Sequence, residues 1–151
     1  MVDPLHTIAL KIVTPERVVY QSDVTEIAMP TEMGEVTILP NHQPLVTIAT
    51  LGEIRLRKPD ANEIVPIAIS EGIVEVRESF MDQGIKTEVI ILAFRSELAS
   101  EIDIKRAEEA HARAVKELQT REFESDVDFA KFQAMIDKEL NRIEIYRKWR
   151  K

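Results

Sequence analysis

Asp103, Arg106, Ala107 and Arg113 are the first residues whose types and spacing could do chemistry. Arg106 and Ala107 follow Asp103 by three and four residues, and Arg113 follows Arg106 by seven. On a helix, residues three, four and seven apart lie along one side. The result is a carboxylate and two guanidiniums beside a small side chain. Such a set is either an ion-paired helix surface, which is common, or a contact for an anion, since Arg presents a planar fork that fits phosphate or carboxylate. A second candidate is Glu35 with His42, and a third is the basic end, where Arg147, Lys148, Arg150 and Lys151 surround Trp149. The basic end suits the negative pole of a helix C-terminus or an acidic partner. Catalysis has no such foothold. No Ser-His-acid set and no glycine-rich phosphate loop is evident, and Glu108-Glu109 falls on a predicted wet helix face as solvated charge. The three histidines, His6, His42 and His111, are too scattered for a metal site, and the chain has no cysteine. The sequence therefore predicts no enzyme, no required cofactor and no metal centre.

Charge and punctuation show what must position these residues. The 151 residues suit one or two small domains. Residues 1–94 carry seven Lys/Arg against fourteen Asp/Glu, a balance of −7, while residues 95–151 carry thirteen of each. An acidic first part argues against nucleic acid and anionic lipid as partners there and suits a basic or polar protein. The longest uninterrupted apolar run, Val89 to Phe94, has six residues, whereas a spanning helix needs about 20. No direct membrane insertion is expected. Met1-Val2-Asp3-Pro4 lacks the basic and apolar regions of a secretory signal. A reducing compartment is allowed.

All four glycines and all seven prolines lie before residue 85. Close punctuation implies strands and turns, and its absence permits long helices. Ile8, Leu10 and Ile12 alternate with Ala9 and Lys11, and Ile54 and Leu56 alternate with Arg55 and Arg57, the period of half-buried strands. Val65, Ile67 and Ile69 share a face, with Pro66 marking a sheet edge or bulge. Val74 and Val76 continue after a turn at Gly72. Lys58–Asn62 and Asp82–Gly84 read as hairpin loops. Val89 to Phe94 is apolar on both faces, so its outer face calls for a cover that the following helices could supply. After these strands, Ser100 with Asp103 resembles a helix cap, and a helix is expected from about Glu101 to Thr120, with Ala107, Ala110, Ala114 and Leu118 on one side. Arg121 to Asp126 breaks that pattern. Ser125 with Asp128 caps a second helix, whose apolar stripe is Phe129, Phe132, Ile136, Leu140 and Ile143. The fold class is an all-β sandwich over residues 1–95 followed by an antiparallel α-helical hairpin over residues 96–151. The antiparallel sandwich itself is expected from about 5 to 94 and the helices from about 101 to 148.

Residues 34–45 add a local signature. Gly34 and Asn41 can take positive φ at low cost, while Pro40 and Pro44 fix their own φ and extend Leu39 and Gln43. The reading is strand, sharp turn, strand, with a polar tip carrying Glu35 and His42. Either that tip is a wet turn or it is a protein contact.

The same stretch resembles the epsilon subunit of F-type ATP synthase, called delta in mitochondria. The family pattern is roughly G-E-x-G-I-L-P-x-H-x-P-L, and Gly34, Glu35, Ile38, Leu39, Pro40, His42, Pro44 and Leu45 match it. Thr37 stands where the family usually has Gly, so the backbone there is expected to differ. Ile12–Glu16, Gly52, Ser70-Glu71-Gly72 and Ile102–Ala107 match in order, so the resemblance covers nearly the whole chain. It implies a β-sandwich that grips the gamma subunit and the c-ring, with Glu35 and His42 as c-ring contacts. It also implies a helical hairpin that regulates ATP hydrolysis by folding up or extending towards the alpha/beta catalytic head. In that extended state the basic tail would meet acidic groups.

Ile102–Ala107 further resembles the I/L-D-x-x-R-A motif of bacterial members that bind ATP. By that resemblance Glu97, Asp103, Arg106, Ala107, Arg113, Lys138 and Arg142 are nucleotide contacts, with Lys138 where the binders have Arg. ATP would be a regulatory ligand. The implied location is the cytoplasmic face of a bacterial plasma membrane, peripheral through the complex. The alternatives are a free-standing nucleotide-sensing module and a β-sandwich adaptor.

Overall fold

The computed structural model describes residues 3–60, 62–122 and 125–150. Two compact units are present, Met1–Leu98 and Ala99–Lys151. The first holds a 3-10 turn, Pro4–His6, and ten strands: β1 Ile8–Val13, β2 Val18–Val24, β3 Glu26–Thr31, β4 Gly34–Ile38, β5 Leu45–Ala49, β6 Gly52–Arg57, β7 Ile64–Ile69, β8 Gly72–Met81, β9 Gly84–Ala93 and β10 Ser96–Leu98. The boundary expected after residue 95 falls just before β10.

The hydrogen-bonded order is β10-β7-β6-β3-β5-β8-β9-β1-β2, with β4 attached to β3. Between β3 and β5 the ladder narrows to one pair, Thr31 with Ala49. At this hinge the sheet divides into two layers. Ile27, Met29, Ile38, Ile54, Leu56, Ile67 and Ile69 of one layer and Ile8, Leu10, Ile12, Val24, Val74, Val76, Val89 and Ile91 of the other form one apolar core. Burying each such side chain contributes about 1.5–3 kcal/mol. The period-2 pattern thus did place Ile8, Leu10, Ile12, Ile54 and Leu56 inward. One ladder departs from the antiparallel expectation, because β1 runs parallel to β9, from Ile8 opposite Thr87 to Val13 opposite Leu92. Parallel neighbours need a long connection, and here all of β2 to β8 supplies it.

Gly34 has φ +102° and Asn41 φ +69°, the turn conformations expected of them. Thr37, in the place of the family's Gly, lies in the regular β3–β4 ladder opposite Ala28. Pro66 faces Arg55 on β6, while β10 pairs only with residues 67 to 69 of β7. The proline's missing N–H therefore meets no second strand. The hairpin loops after β6 and β8 stand as expected, with Ala61 outside the described residues. On the outer face of Val89–Phe94, Leu92 and Phe94 are exposed.

The second unit holds a 3-10 turn, Ala99–Glu101, and two helices, α1 Ile104–Thr120 and α2 Asp126–Trp149. The expected cap at Ser100 is corrected. Asp103 is the N-cap, its carboxylate accepting the Arg106 N–H at 3.0 Å, and the chain before it coils as a 3-10 turn with Ile102 N–H donated to Ala99 O. Ser125 caps α2 as expected, accepting from Asp128 N–H at 3.3 Å. Ala107 and Ala114 are buried and admit close approach of α2. The expected α2 stripe holds at Ile136 and Ile143, but Phe129 and Leu140 are exposed and Ile145 is buried instead. The stripe fails because α2 packs on both α1 and the 3-10 turn Ala99–Glu101, so its buried positions do not follow one line.

Candidate functional site

The arginine set sits on a packed helix pair whose register one ion pair marks. Arg147 Nη2 lies 3.2 Å from Glu108 Oε1, joining the end of α2 to the first turns of α1. In an antiparallel pair this contact brings Arg113, five residues after Glu108, level with Arg142, five before Arg147. Arg106 then lies one side of that level by about 10 Å and Lys138 the other side by about 6 Å, at 1.5 Å per residue. That register sets Arg113 and Arg142 at one level of the pair and strings Arg106 and Lys138 out along it. Arg106 and Arg113 are exposed. Arg142 is mostly buried and already paired with Glu139 at 2.8 Å. Ala107 is fully buried, and Asp103 is engaged in capping α1. Glu97 lies on β10, in the first unit.

Glu35 and His42 do not share a tip. Glu35 lies in β4 next to the β3–β4 turn, and His42 lies in the loop from residue 39 to 44 at the opposite end of β4. The two are separated by most of a five-residue strand because a turn stands at each end of β4, at residues 32–33 before Gly34 and again after Ile38. Glu35 accepts a hydrogen bond from Arg55 Nη2 at 2.7 Å. That bond, together with Glu53, raises the Arg55 guanidinium above its usual range, against the opposing effect of its partial burial. His42 holds its loop closed, its N–H donated to Leu39 O at 3.1 Å and its Nδ1 2.7 Å from Gln43 O. Asn41 N–H donates to Thr87 Oγ1 at 2.7 Å, pinning the loop to β9.

Of the basic end, Arg147 and Lys148 lie in the last turn of α2 and Arg150 is its C-cap. Arg147 is held by Glu108, the Lys148 ammonium lies 5.3 Å from the Trp149 ring centroid, and Arg150 donates its N–H to Tyr146 O. Lys151 lies outside the described residues.

Two features escaped the sequence. One is Lys86, whose side chain is 9% exposed and lies 3.4 Å from Asp23. It donates to Pro4 O at 2.6 Å and to the Thr7 hydroxyl, tying the 3-10 turn to β9. Nothing in sequence spacing signals that contact across 82 residues. The other is an apolar row on the outer face of one layer. Cross-strand register aligns Ile48 of β5, Ile73 of β8, Leu92 of β9 and Val13 of β1, and Val18 of β2 continues it beside Val13. Ile48, Ile73 and Leu92 are 45%, 53% and 54% exposed. The two-faced apolar run Val89 to Phe94 hinted at one strand of it, but the row itself exists only once strands pair.

The model of the ATP synthase delta/epsilon chain beta-sandwich domain matches residues 7–82, the span from β1 to the tip of β8. An ATP synthase epsilon chain of Halalkalibacterium halodurans is 38% identical over 92% of this chain and 96% of its own length. One from Bacillus licheniformis is 35% identical over 95% of this chain and 100% of its own. The chain belongs to the ATP synthase delta/epsilon chain family. A chain in the cryo-EM structure of the Euglena gracilis mitochondrial ATP synthase, containing OSCP, F1 and the c-ring, shares its fold with TM-score 0.69. That match has 18% identity and covers 93% of this chain and 81% of the other. A chain of the Tetrahymena thermophila mitochondrial ATP synthase central stalk and c-ring shares the fold at TM-score 0.57 and 12% identity, over 93% and 94% of the two chains. As an epsilon-family chain it is a non-catalytic subunit of ATP synthase. Among the described residues no helix is long and apolar enough to cross a membrane.

Proposed function

We propose that this chain is a central-stalk rotor subunit of a bacterial F-type ATP synthase, peripheral on the cytoplasmic face of the membrane, that couples c-ring rotation to the gamma subunit. The observation that carries this reading is the apolar row Ile48–Ile73–Leu92–Val13. A largely antiparallel layer with one face in the core normally turns polar side chains to water on the other. A contiguous apolar patch there marks an interaction face, and gamma is the partner we assign to it. Glu35 and His42 are assigned to the c-ring. Because they lie at opposite ends of β4, each is to be tested alone.

The hairpin is the regulatory part of the reading. In its extended state the charged last turn of α2, Arg147, Lys148 and Arg150 with Lys151, would meet acidic groups of the alpha/beta head and restrain hydrolysis. ATP is the regulatory ligand, with Arg106, Arg113, Arg142 and Lys138 on its phosphates. Glu97 and Asp103 hold the site's geometry or contact the base and ribose. The shared level of Arg113 and Arg142 supports this assignment. Arg142 must exchange its Glu139 partner for phosphate, and Lys138 offers a point charge where Arg would offer a fork. A ligand that binds only the folded hairpin stabilises it by mass action.

Binding of purified Ile73→Glu to gamma tests the central claim. A buried interface anchor contributes about 2 kcal/mol or more, so affinity should fall at least tenfold, and unchanged affinity would overturn the assignment. Calorimetric titration of the chain with ATP, beside Arg106→Ala, tests the ligand. Equal binding by both, or none at millimolar ATP, rejects it.

A further inference from the structure

β8 and β9 run on past their neighbours. β5 pairs with β8 only from Gly72 to Val76, and β1 joins β9 only from Thr87 onward. Residues 77–81 and 84–86 therefore form a two-stranded ribbon that overhangs the sheet. Its β9 flank is occupied by the 3-10 turn Pro4–His6, through Lys86 bonded to Pro4 O and Leu5 set against Gly84. Among the described residues no strand lies beside its β8 flank, Arg77 to Met81.

The register shows which backbone groups that flank presents. The two-residue turn Asp82-Gln83 closes on the pair Met81–Gly84. In an antiparallel hairpin of this length the closing pair is hydrogen-bonded, and bonded and non-bonded pairs then alternate. Met81, Ser79 and Arg77 thus spend their N–H and C=O groups on β9, while Phe80 and Glu78 aim theirs at the open side. The same parity sets Glu78 and Phe80 on the face that carries Val74 and Val76 into the core, but beyond the core's reach. Phe80 is 80% exposed, and its cross-strand neighbour Ile85 is also exposed. Arg77 is neutralised by Glu88 at 2.9 Å, and Lys86 is buried against Pro4 and Thr7. The carboxylates of Glu78 and Asp82 remain as the ribbon's surplus charge.

We propose that the free edge Arg77–Met81 is a strand-addition site for an extended segment of a partner protein that alternates apolar and basic side chains. The partner's backbone would bond to Glu78 and Phe80. Its apolar residues would cover Phe80 and Ile85, and its basic residues would meet Glu78 and Asp82. An open edge supplies affinity through main-chain bonds, and the side chains beside it supply specificity. A second copy of this chain is disfavoured as the occupant, because self-pairing of two such ribbons would bring four carboxylates together. The site is separate from the apolar row, which lies on the opposite face of the same layer, so the proposal does not depend on the assignment of gamma.

The test uses the full chain and a capped nine-residue peptide alternating valine and lysine, fluorescently labelled, titrated by anisotropy at low salt. The same peptide with glutamate for lysine is the control. Glu78→Gln removes the charge and keeps the N–H. Glu78→Pro removes both but leaves the β8–β9 ladder intact, since that N–H does not serve it. Saturable binding of the lysine peptide is expected, weakened two- to fivefold in Glu78→Gln, at least tenfold in Glu78→Pro and at least fivefold in Phe80→Ser. No binding of the glutamate peptide is expected. Equal affinity of Glu78→Gln and Glu78→Pro would show mere charge attraction and overturn strand addition, as would full affinity in Phe80→Ser or the absence of saturable binding. Concentration-dependent dimerisation abolished by Glu78→Pro would assign the edge to a second copy and also overturn the proposal. Should Glu78→Pro fail to fold, Phe80→Ser, with amide exchange at Glu78 and Phe80 in the presence and absence of peptide, decides the matter.

Discussion

Replacing Gly72 by alanine separates steric from conformational reasons for a glycine. Gly72 opens β8, pairs with Ala49 on one side and Ala93 on the other, and is buried. A Cβ there would fall well inside contact distance of the Leu92 carbonyl oxygen, 3.1 Å from the Leu92 carbonyl carbon and 3.0 Å from Ala93 Cα. All three are backbone atoms of β9, so no side chain can swing aside. β8 and β9 must part, and β5 must follow. Overpacking of this kind costs about 1–3 kcal/mol, while the less flexible unfolded chain returns about 0.4–1 kcal/mol. The net loss is about 1–2 kcal/mol, which for the 98 residues of the first unit lowers Tm by about 4–15 °C. Differential scanning calorimetry measures it. Because Ile73 adjoins Gly72 and stands mid-row on the apolar face, affinity for gamma should fall along with Tm. Gly34→Ala is the counterpart. Nothing lies within 4 Å of its Cβ, but φ is +102°, so its loss is purely conformational, about 1–2 kcal/mol, with gamma affinity unchanged. A Tm shift under 2 °C for Gly72→Ala would refute the reasoning, since it would mean that the strands separate at no cost.

Three further outcomes are expected. Lys86→Met removes the ammonium that donates to Pro4 O and the Thr7 hydroxyl and leaves Pro4 O only the longer bond from Thr7; it should cost about 1–3 kcal/mol and remove hydrogen-exchange protection at His6, whose N–H bonds to Asp3 O. Asp103→Ala should lower hairpin stability by about 0.5–2 kcal/mol, read by circular dichroism at 222 nm, while Ser100→Ala should change it by less than about 0.5 kcal/mol; the reverse order would restore Ser100 as the cap. Deletion of residues 147–151 should raise ATP hydrolysis by the assembled enzyme, most at low ionic strength, where exposed pairs reach their upper worth of about 1 kcal/mol; salt-independent rates would remove charge from the explanation.

The parts of the fold legible in sequence were those fixed by local chemistry. Alternation of Ile8, Leu10 and Ile12, the left-handed turns at Gly34 and Asn41, the cap at Ser125 and the concentration of Gly and Pro before residue 85 each act within a few residues. The features that escaped depend on pairing between distant segments. The parallel β1–β9 ladder joins segments nearly eighty residues apart, and no local period distinguishes it from an antiparallel one. Ser100 and Asp103 both offer side-chain oxygens near the start of α1. The choice between them rests on where the 3-10 turn ends, because that decides whose oxygen meets a free N–H. Ile145 is buried off the expected stripe because α2 has two neighbours where the pattern assumed one.

The candidate sites divide along the same line. Asp103, Arg106 and Arg113 were singled out by spacing, Arg106 three after Asp103 and Arg113 seven after Arg106, because a helix sets such positions along one side. Glu35 and His42 were placed on one tip but lie at opposite ends of β4, because sequence proximity says nothing about which turn ends a strand. The apolar row shows the limit most clearly. Ile48, Ile73, Leu92 and Val13 come from four separated strands, and each alone is an unremarkable surface hydrophobe of the kind every protein exposes. Only register makes them adjacent. Glu78 and Phe80 repeat the lesson in the backbone itself, since the open direction of their N–H and C=O groups follows from the closing pair of a hairpin and from where β5 stops. A composition that reads as acidic and unspecialised thus holds an exposed apolar row and a separate open edge, and the two differ in what they offer. The face offers apolar area without direction, whereas the edge offers directed backbone bonds beside two carboxylates.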